Sequence, residues 1–116
     1  MEKFRNLIVW QKAHSLVLEI YRATQSFPSD ERFGLTSQIR RASVSIPSNI
    51  AEGSKRRTAK DRRHFNYIAE GSLEEVKYQI ILAYDLKYID LETGKELTEK
   101  AREVGKMLSG FTKSIK

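Results

Sequence analysis

The chain has 116 residues, no cysteine, 40% apolar and 31% charged residues, and a formal net charge of +6. This length suits one domain, the composition argues against disorder, and the absence of thiols excludes disulfides and cysteine-held metals. No run approaches the roughly 20 apolar residues of a membrane span, and the polar N-terminal segment is unlike a signal peptide, so we expect a cytoplasmic protein without a membrane partner.

Four segments repeat apolar residues with helical spacing, at about residues 6–26, 30–52, 58–89 and 94–115. Pro28 stops the first segment, and Ser29 with the two acids that follow it suits the start of the second. Gly53 is a natural C-terminal stop for the second segment, and Thr58 can cap the third with Asp61 as its partner. We therefore predict one all-α domain over residues 1–116, an up-down-up-down four-helix bundle with antiparallel neighbours.

The predicted core residues recur three and four positions apart on each segment. They are Trp10, Ala13, Val17, Ile20, Thr24 and Phe27 on the first; Leu35, Ile39, Ala42, Ile46 and Ile50 on the second; Phe65, Ile68, Ser72, Val76, Gln79, Ala83 and Leu86 on the third; and Leu97, Ala101, Val104, Leu108, Phe111 and Ile115 on the fourth.

Pro47 lies inside the second segment, where a proline removes one hydrogen bond and costs about 3 kcal/mol. One interpretation ends the helix near Ser45 and starts a second at Pro47. Because the apolar stripe from Ile39 to Ile50 keeps one phase across the proline, we favour a single kinked helix. Nearby serines and Asn49 can satisfy the carbonyls that the proline leaves free.

The third segment is apolar on more sides than the surface helix of a monomer needs. We therefore predict a ring-like homo-oligomer whose interface includes Tyr78, Ile81, Leu82, Tyr84 and Tyr88. Four further apolar residues lie off the predicted core stripes: Val9, Leu16, Leu18 and Val44. The alternative is that these are scattered surface apolar residues, which are common in monomers.

Basic residues concentrate at one end of the predicted bundle, because an up-down topology places both termini beside the loop between the second and third helices. Residues 1–14, 50–66 and 105–116, here called the basic pole, carry a formal net charge of +9, whereas all other residues carry −3. Phosphates neutralised there would release counterions, so the pattern favours structured RNA or DNA, although a charge run can also be a solvated end. The candidate contacts are Lys55, Arg56, Arg57, Lys60, Arg62 and Arg63, with Arg40 and Arg41 as further candidates.

The sequence indicates no metal, cofactor or catalytic residue. Asp61-x-x-His64 resembles half of a di-iron bundle site, but no predicted core position carries a carboxylate. Arg57-x6-His64 resembles the arginine–histidine signature of helical higher-eukaryote-and-prokaryote nucleotide-binding nucleases, in which a histidine can act as acid or base. Ten arginines and two histidines produce such a spacing readily by chance, so an Arg/His ribonuclease is the remote alternative.

Five blocks of sequence are distinctive: residues 7–13, 27–28, 31–42, 44–53 and 69–75. With these blocks, above all Ser-Ile-Pro-Ser-Asn-Ile-Ala-Glu-Gly at 45–53, the chain resembles the proteins encoded by intervening sequences of bacterial large-subunit (23S) ribosomal RNA genes. It is also similar to the accessory variability determinant protein of diversity-generating retroelements, a basic pentameric barrel that binds nucleic acid and a reverse transcriptase. The resemblance implies a four-helix bundle that assembles as a homopentamer, and it supplies no catalytic residue.

We therefore expect a non-enzymatic, homo-oligomeric bundle protein that binds structured RNA or DNA, RNA in particular, through its basic pole. The alternative is a protein–protein scaffold whose basic end docks an acidic or polymerase-like partner.

Overall fold

The computed structural model describes residues 2–116, whose Cα positions span 43 × 24 × 24 Å. The helices are α1 (Ile8–Thr24), α2 (Leu35–Ser54), α3 (Ala59–Asp85) and α4 (Leu91–Ser114), with 3-10 turns at Lys3–Asn6 and Ser29–Glu31. Helices that follow one another in the chain pack together, and α1 closes the bundle against α4. The described residues form no strand, so the predicted all-α four-helix bundle is confirmed. None of the described helices combines the length and the apolar character that crossing a membrane requires.

The core follows the predicted stripes closely on α2 and α4. The stripe from Leu35 to Ile50 is buried along its whole length, and so is the stripe from Leu97 to Leu108. On α1 the prediction was too narrow, because Val9 and Leu16 are buried rather than off the core. This helix lies between α2 and α4 and packs against both, which buries a wider stripe than one partner would.

Two other off-stripe residues, Leu18 and Val44, are exposed as predicted.

The predicted phase of α3 is wrong in the first half of the helix. Ile68 was placed in the core, yet 40% of its surface is exposed. Asn66, Ala69 and Leu73 are buried in its place. The buried face of the first half of α3 therefore runs through Asn66, Ala69 and Leu73, one position along the chain from the predicted Phe65, Ile68 and Ser72.

At the far end of α3, Leu86 was also predicted as core and is exposed.

Three helix boundaries differ from the prediction. The acids after Pro28 form a separate turn, and α2 begins only at Leu35, whose N–H donates to the Glu31 carboxylate at 3.0 Å. Asp90 caps α4 by accepting from the Thr93 N–H at 2.8 Å, so that helix begins earlier than predicted. The end of α3 at Asp85 also comes a few residues earlier.

The predicted cap of α3 is confirmed, because Thr58 Oγ1 accepts from the Asp61 N–H at 3.1 Å. Pro47 lies within α2, so a single helix across the proline is confirmed and a break there is wrong. Asn49 Nδ2 donates to the Ser45 carbonyl at 2.8 Å and to the Ser45 hydroxyl at 3.0 Å, which reinforces the turn around the proline.

Gly53 is not the predicted stop of α2, since it lies within the helix and is buried against α3. A Cβ atom at this position would lie 3.0 Å from the Phe65 Cβ and 3.3 Å from the Arg62 carbonyl oxygen. Gly53 therefore sets how closely α2 and α3 approach. Gly71 has no such role, because a Cβ there would meet nothing within 4 Å.

Candidate nucleic-acid interface

The basic pole forms one end of the molecule, as the topology predicts. Arg63 Nη1, near the start of α3, donates to the carbonyl oxygen of Ile115 at 3.1 Å. A cavity at the same end is lined by Leu7, by Gly53 from α2 and, near the end of the chain, by Phe111, Ser114, Ile115 and Lys116. The two terminal segments and the α2–α3 connection thus share one surface.

Three of the predicted contact residues are free to meet a partner. Lys55, Arg57 and Lys60 are exposed, and within residues 2–116 their charged groups make no ion pair or side-chain hydrogen bond. All three lie in the α2–α3 connection or at the first turn of α3. Positive groups without internal partners at one site can contact phosphate oxygens without first breaking a contact in the protein.

The other three predicted contact residues hold the pole together. Arg56 pairs with Glu52 at 2.6 Å, and its guanidinium carbon lies 4.5 Å from the centre of the Phe65 ring. Arg62 Nη2 donates to the Arg57 carbonyl at 3.3 Å, and Arg63 binds the end of α4 as described above. These arginines position the segment that carries the free cations.

The structure does not bring Arg40 and Arg41 to the basic pole. Arg40 Nε donates to Thr24 Oγ1 at 2.8 Å, and the Arg40 guanidinium stacks 4.5 Å from the centre of the Tyr21 ring. Arg40 thus pins α2 to the C-terminal turn of α1. Arg41 is exposed but lies about 21 Å from Lys55 along the axis of α2, given the rise of an α-helix.

The N-terminus of α3 places positive side chains where the helix dipole is also positive. Lys60, Arg62 and Arg63 fall within the first five residues of the helix, and Asp61 is the acid in its first turn. Cations near a helix N-terminus are unfavourable, whereas a bound anion interacts well with both the free N–H groups and the dipole. These cations are therefore unfavourable in the free protein and become favourable when a polyanion is bound beside them.

The cavity at the pole has a volume of about 390 Å³ and was not predicted. Its lining includes Asn66, which is 1% exposed, and Arg62. Asn66 Nδ2 and Arg62 Nε are buried, and neither has a hydrogen-bond acceptor among the described residues. The sequence offered one signal for this site, the polar Asn66 on the same helical face as Ala69 and Leu73. The predicted core stripe followed the bulkier Phe65 and Ile68 instead, so this face was assigned to the surface.

The five predicted interface residues divide into two groups. Tyr78, Ile81 and Tyr84 are exposed by 60%, 56% and 42%, and Leu91 of α4 extends this apolar face. Leu82 and Tyr88 are instead partly buried within their own bundle. The exposed apolar face is therefore smaller than the sequence pattern predicts.

Tyr88 ties the two loops at the end opposite the basic pole. Its ring packs on Phe27 with centroids 5.3 Å apart, and its hydroxyl donates to Glu31 Oε2 at 2.7 Å. The Leu35 N–H and then the Tyr88 hydroxyl lower the pKa of Glu31 by stabilising its carboxylate. The same hydrogen bond to Glu31 raises the pKa of Tyr88.

The two histidines lie against aromatic rings. His14 stacks on Trp10 with centroids 5.0 Å apart, and His64 meets the edge of Phe65 at 5.5 Å. Residues 2–116 contain no group of three or more histidine, aspartate or glutamate side chains placed to hold a metal ion.

Fold and charge together define a class of protein: a small four-helix bundle with one strongly basic end. The family model described as "23S rRNA-intervening sequence protein" matches residues 5–110, so the chain belongs to this family.

A crystal structure from Bacteroides thetaiotaomicron VPI-5482, described as a protein with unknown function from the S23 ribosomal protein family, superposes with a TM-score of 0.85. The two sequences are 23% identical, and the alignment covers 92% of this chain and 100% of the other. At this identity the likeness confirms the fold alone. No curated protein matches the chain.

Proposed function

We propose that the protein is a non-enzymatic, homo-oligomeric, cytoplasmic RNA-binding protein that holds structured RNA against its basic pole. The observation that carries this proposal is the group of exposed cations without internal partners, Lys55, Arg57 and Lys60, at an end of the bundle with a net charge of +9. The description of the family refers to intervening sequences of 23S rRNA, so a structured ribosomal RNA fragment is the first RNA to test.

The free cations favour contacts to phosphates over the recognition of bases. Residues 55–63 contain no aromatic side chain on which a base could stack. Lysine and arginine at an exposed end position a protein on the RNA backbone but carry little sequence information. We therefore expect binding that depends on RNA shape and on salt more than on base sequence.

The test compares two triple variants of equal charge change. One reverses Lys55, Arg57 and Lys60 to Glu; the control reverses Arg22, Arg32 and Lys87 to Glu at the opposite end. For the wild type and the control, the logarithm of affinity should fall steeply with the logarithm of salt concentration. The pole variant should bind more weakly, with a salt slope reduced by about 2–3. Equal salt slopes in the two variants would refute the basic pole as the RNA-binding surface.

We propose further that the exposed apolar face around Tyr78, Ile81 and Tyr84 joins subunits into a ring, a pentamer if the family resemblance extends to assembly. A ring of parallel subunits would place all basic poles on one rim, and several weak phosphate contacts would then act together. Ile81→Glu should reduce the mass measured by light scattering to that of a monomer. Phe33→Glu, at an exposed apolar residue that is not part of this face, should not. An unchanged mass for Ile81→Glu would show that subunits join elsewhere or not at all.

The same exposed cations suit an acidic protein surface, so a scaffold that docks an acidic or polymerase-like partner is the alternative. Absence of RNA binding near physiological salt would favour it. The Arg/His ribonuclease remains the remote alternative, and it requires RNA cleavage that His64→Ala abolishes.

A further inference from the structure

Aromatic side chains cluster at the start of α1, within the part of the basic pole that residues 1–14 form. The rings of Trp10 and His14 stack with their centroids 5.0 Å apart and an angle of 10° between their planes. The Phe4 ring lies 5.1 Å from the Trp10 ring, and the guanidinium carbon of Arg5 lies 5.7 Å from the centre of the Trp10 ring. These separations are those of attractive aromatic and cation–π contacts. We call these four residues the aromatic cluster.

The aromatic cluster is held in place by the protein itself. Gln11 Nε2 donates to the Arg5 carbonyl oxygen at 2.7 Å, which ties the 3-10 turn at Lys3–Asn6 to the first turn of α1. Trp10 is partly buried and packs against the hydrophobic core. The ring on which His14 rests is therefore fixed before any ligand arrives, and this lowers the entropy that is lost on binding.

His14 provides the accessible surface of the aromatic cluster. The residue is exposed, and among residues 2–116 its side chain makes no hydrogen bond or ion pair and stacks on Trp10 alone. Since a parallel stack covers one face of the imidazole ring, the opposite face is open to solvent. Aromatic side chains with an open face, histidine included, are the surfaces on which proteins stack unpaired bases.

The aromatic cluster lies beside the free cations of the α2–α3 connection. Trp10, His14 and Tyr21 fall on one side of α1, and Arg40 of α2 stacks on Tyr21, so this side of α1 borders α2. The 3-10 turn before α1 also contacts α2. The start of α1 therefore meets the end of α2, where Lys55 follows the helix. A phosphate on the free cations and a base on His14 can thus belong to the same stretch of RNA.

We propose that the open face of His14 binds one unpaired base of the RNA, while the free cations of the basic pole bind the phosphates beside it. This inference rests on the proposed function and adds to it a preference for RNA with unpaired nucleotides. Inside a duplex both faces of each base are covered by its neighbours, whereas a base in a loop, bulge or single-stranded end can turn onto an aromatic ring. Every base has such a face, so the preference is for unpaired bases and not for a particular sequence.

The test uses the full-length protein and two single-stranded probes of about eight nucleotides, a length within the usual range of single-strand sites. One probe is oligoadenylate, and the other is the same ribose-phosphate chain without bases. The wild type should bind oligoadenylate about tenfold more tightly, which is the effect of one stacked base. Because both probes carry the same phosphates, their salt slopes should be equal. Equal affinities of the wild type for the two probes would overturn the inference.

Three variants locate the stacking surface. His14→Ala should abolish the preference for oligoadenylate, whereas His14→Phe, which restores an aromatic ring, should keep it. Tyr21→Ala, two turns further along the same side of α1, should also keep it. None of the three should change the affinity for the probe without bases. If the His14 ring only shields Trp10, His14→Ala would lower stability and leave the preference intact, and that result would overturn the inference.

NMR measures stacking on His14 directly. The chain has two histidines, so His64→Gln assigns the ring signals of each. Oligoadenylate should move the ring-proton signals of His14 upfield, because a stacked base places these protons in its ring current. The probe without bases should not. Equal shifts from the two probes, or no shift from either, would overturn the inference.

The two proposals can fail separately. The triple variant at Lys55, Arg57 and Lys60 should bind both probes more weakly, with a reduced salt slope, and should keep the tenfold ratio between them. A wild type that binds both probes equally would leave the proposed function standing without the stacking site. A wild type that binds neither the probes nor a structured RNA fragment would remove the proposed function itself.

Discussion

Gly53 offers a sharp test of the close packing between α2 and α3. In Gly53→Ala the new methyl would lie 3.0 Å from the Phe65 Cβ and 3.3 Å from the Arg62 carbonyl oxygen. Neither atom is the end of a flexible side chain, so a helix must shift. Overpacking of this kind costs about 1–3 kcal/mol, whereas replacing a helical glycine with alanine contributes about 1 kcal/mol in the other direction. We expect a net loss of up to about 2 kcal/mol.

The matched controls are Gly71→Ala on α3 and Gly110→Ala on α4, where a Cβ would meet nothing within 4 Å. These substitutions carry the helix-propensity gain without a clash, so each should stabilise the fold by about 0.5–1 kcal/mol. Urea unfolding at one protein concentration measures all three, because oligomerisation makes apparent stability depend on concentration. Stabilisation by Gly53→Ala to the same extent as by the controls would refute the close-approach argument.

Three further outcomes test the loops and the candidate site. The pKa of Glu31 is lowered by its hydrogen bonds, so its contribution to stability is present above the ordinary carboxyl range and is lost as pH falls through the lowered value. The wild type should therefore lose more stability on acidification than Glu31→Gln in parallel melting curves, and identical pH profiles would contradict this. Thr58→Ala removes the acceptor for the Asp61 N–H and should lower the free energy of unfolding by about 0.5–2 kcal/mol, whereas Thr58→Ser should retain most of it. Arg40→Gln should cost about 1 kcal/mol of stability through its lost hydrogen bond to α1 and leave the salt slope of RNA binding unchanged. A reduced slope would show that Arg40 contacts the RNA after all.

The bundle could be predicted from the sequence because its signals are local. On α2 and α4 the apolar spacing alone identifies the buried face, and Thr58 caps α3 through a residue three positions away. The phase of α3 could not be obtained in this way. Its buried face depends on which side the neighbouring helices cover, and such contacts, like that of Gly53 on α2 with α3, join residues on different helices.

For the candidate site, too, features that depend on the order of residues could be predicted, and features that depend on contacts between distant residues could not. Charge counting together with topology predicted the basic pole, because both depend on the order of residues along the chain. Which cations are free could not be predicted, since Arg63 is engaged by the Ile115 carbonyl, 52 residues away in sequence. The cavity was missed for the same reason, because its lining combines Leu7, Asn66 and the last residues of the chain.

The cations at the start of α3 give the bundle two opposite responses to ionic strength. Added salt screens the repulsion between these cations and the helix dipole, so the free protein should become more stable as salt rises. The same salt weakens the attraction of the basic pole for any polyanion. A polyanion that occupies the pole relieves the repulsion itself, and through thermodynamic linkage its binding should raise the unfolding temperature most where salt is lowest. At low salt the free protein therefore carries the strongest repulsion between these cations and the helix dipole, and at low salt it also binds a polyanion most tightly.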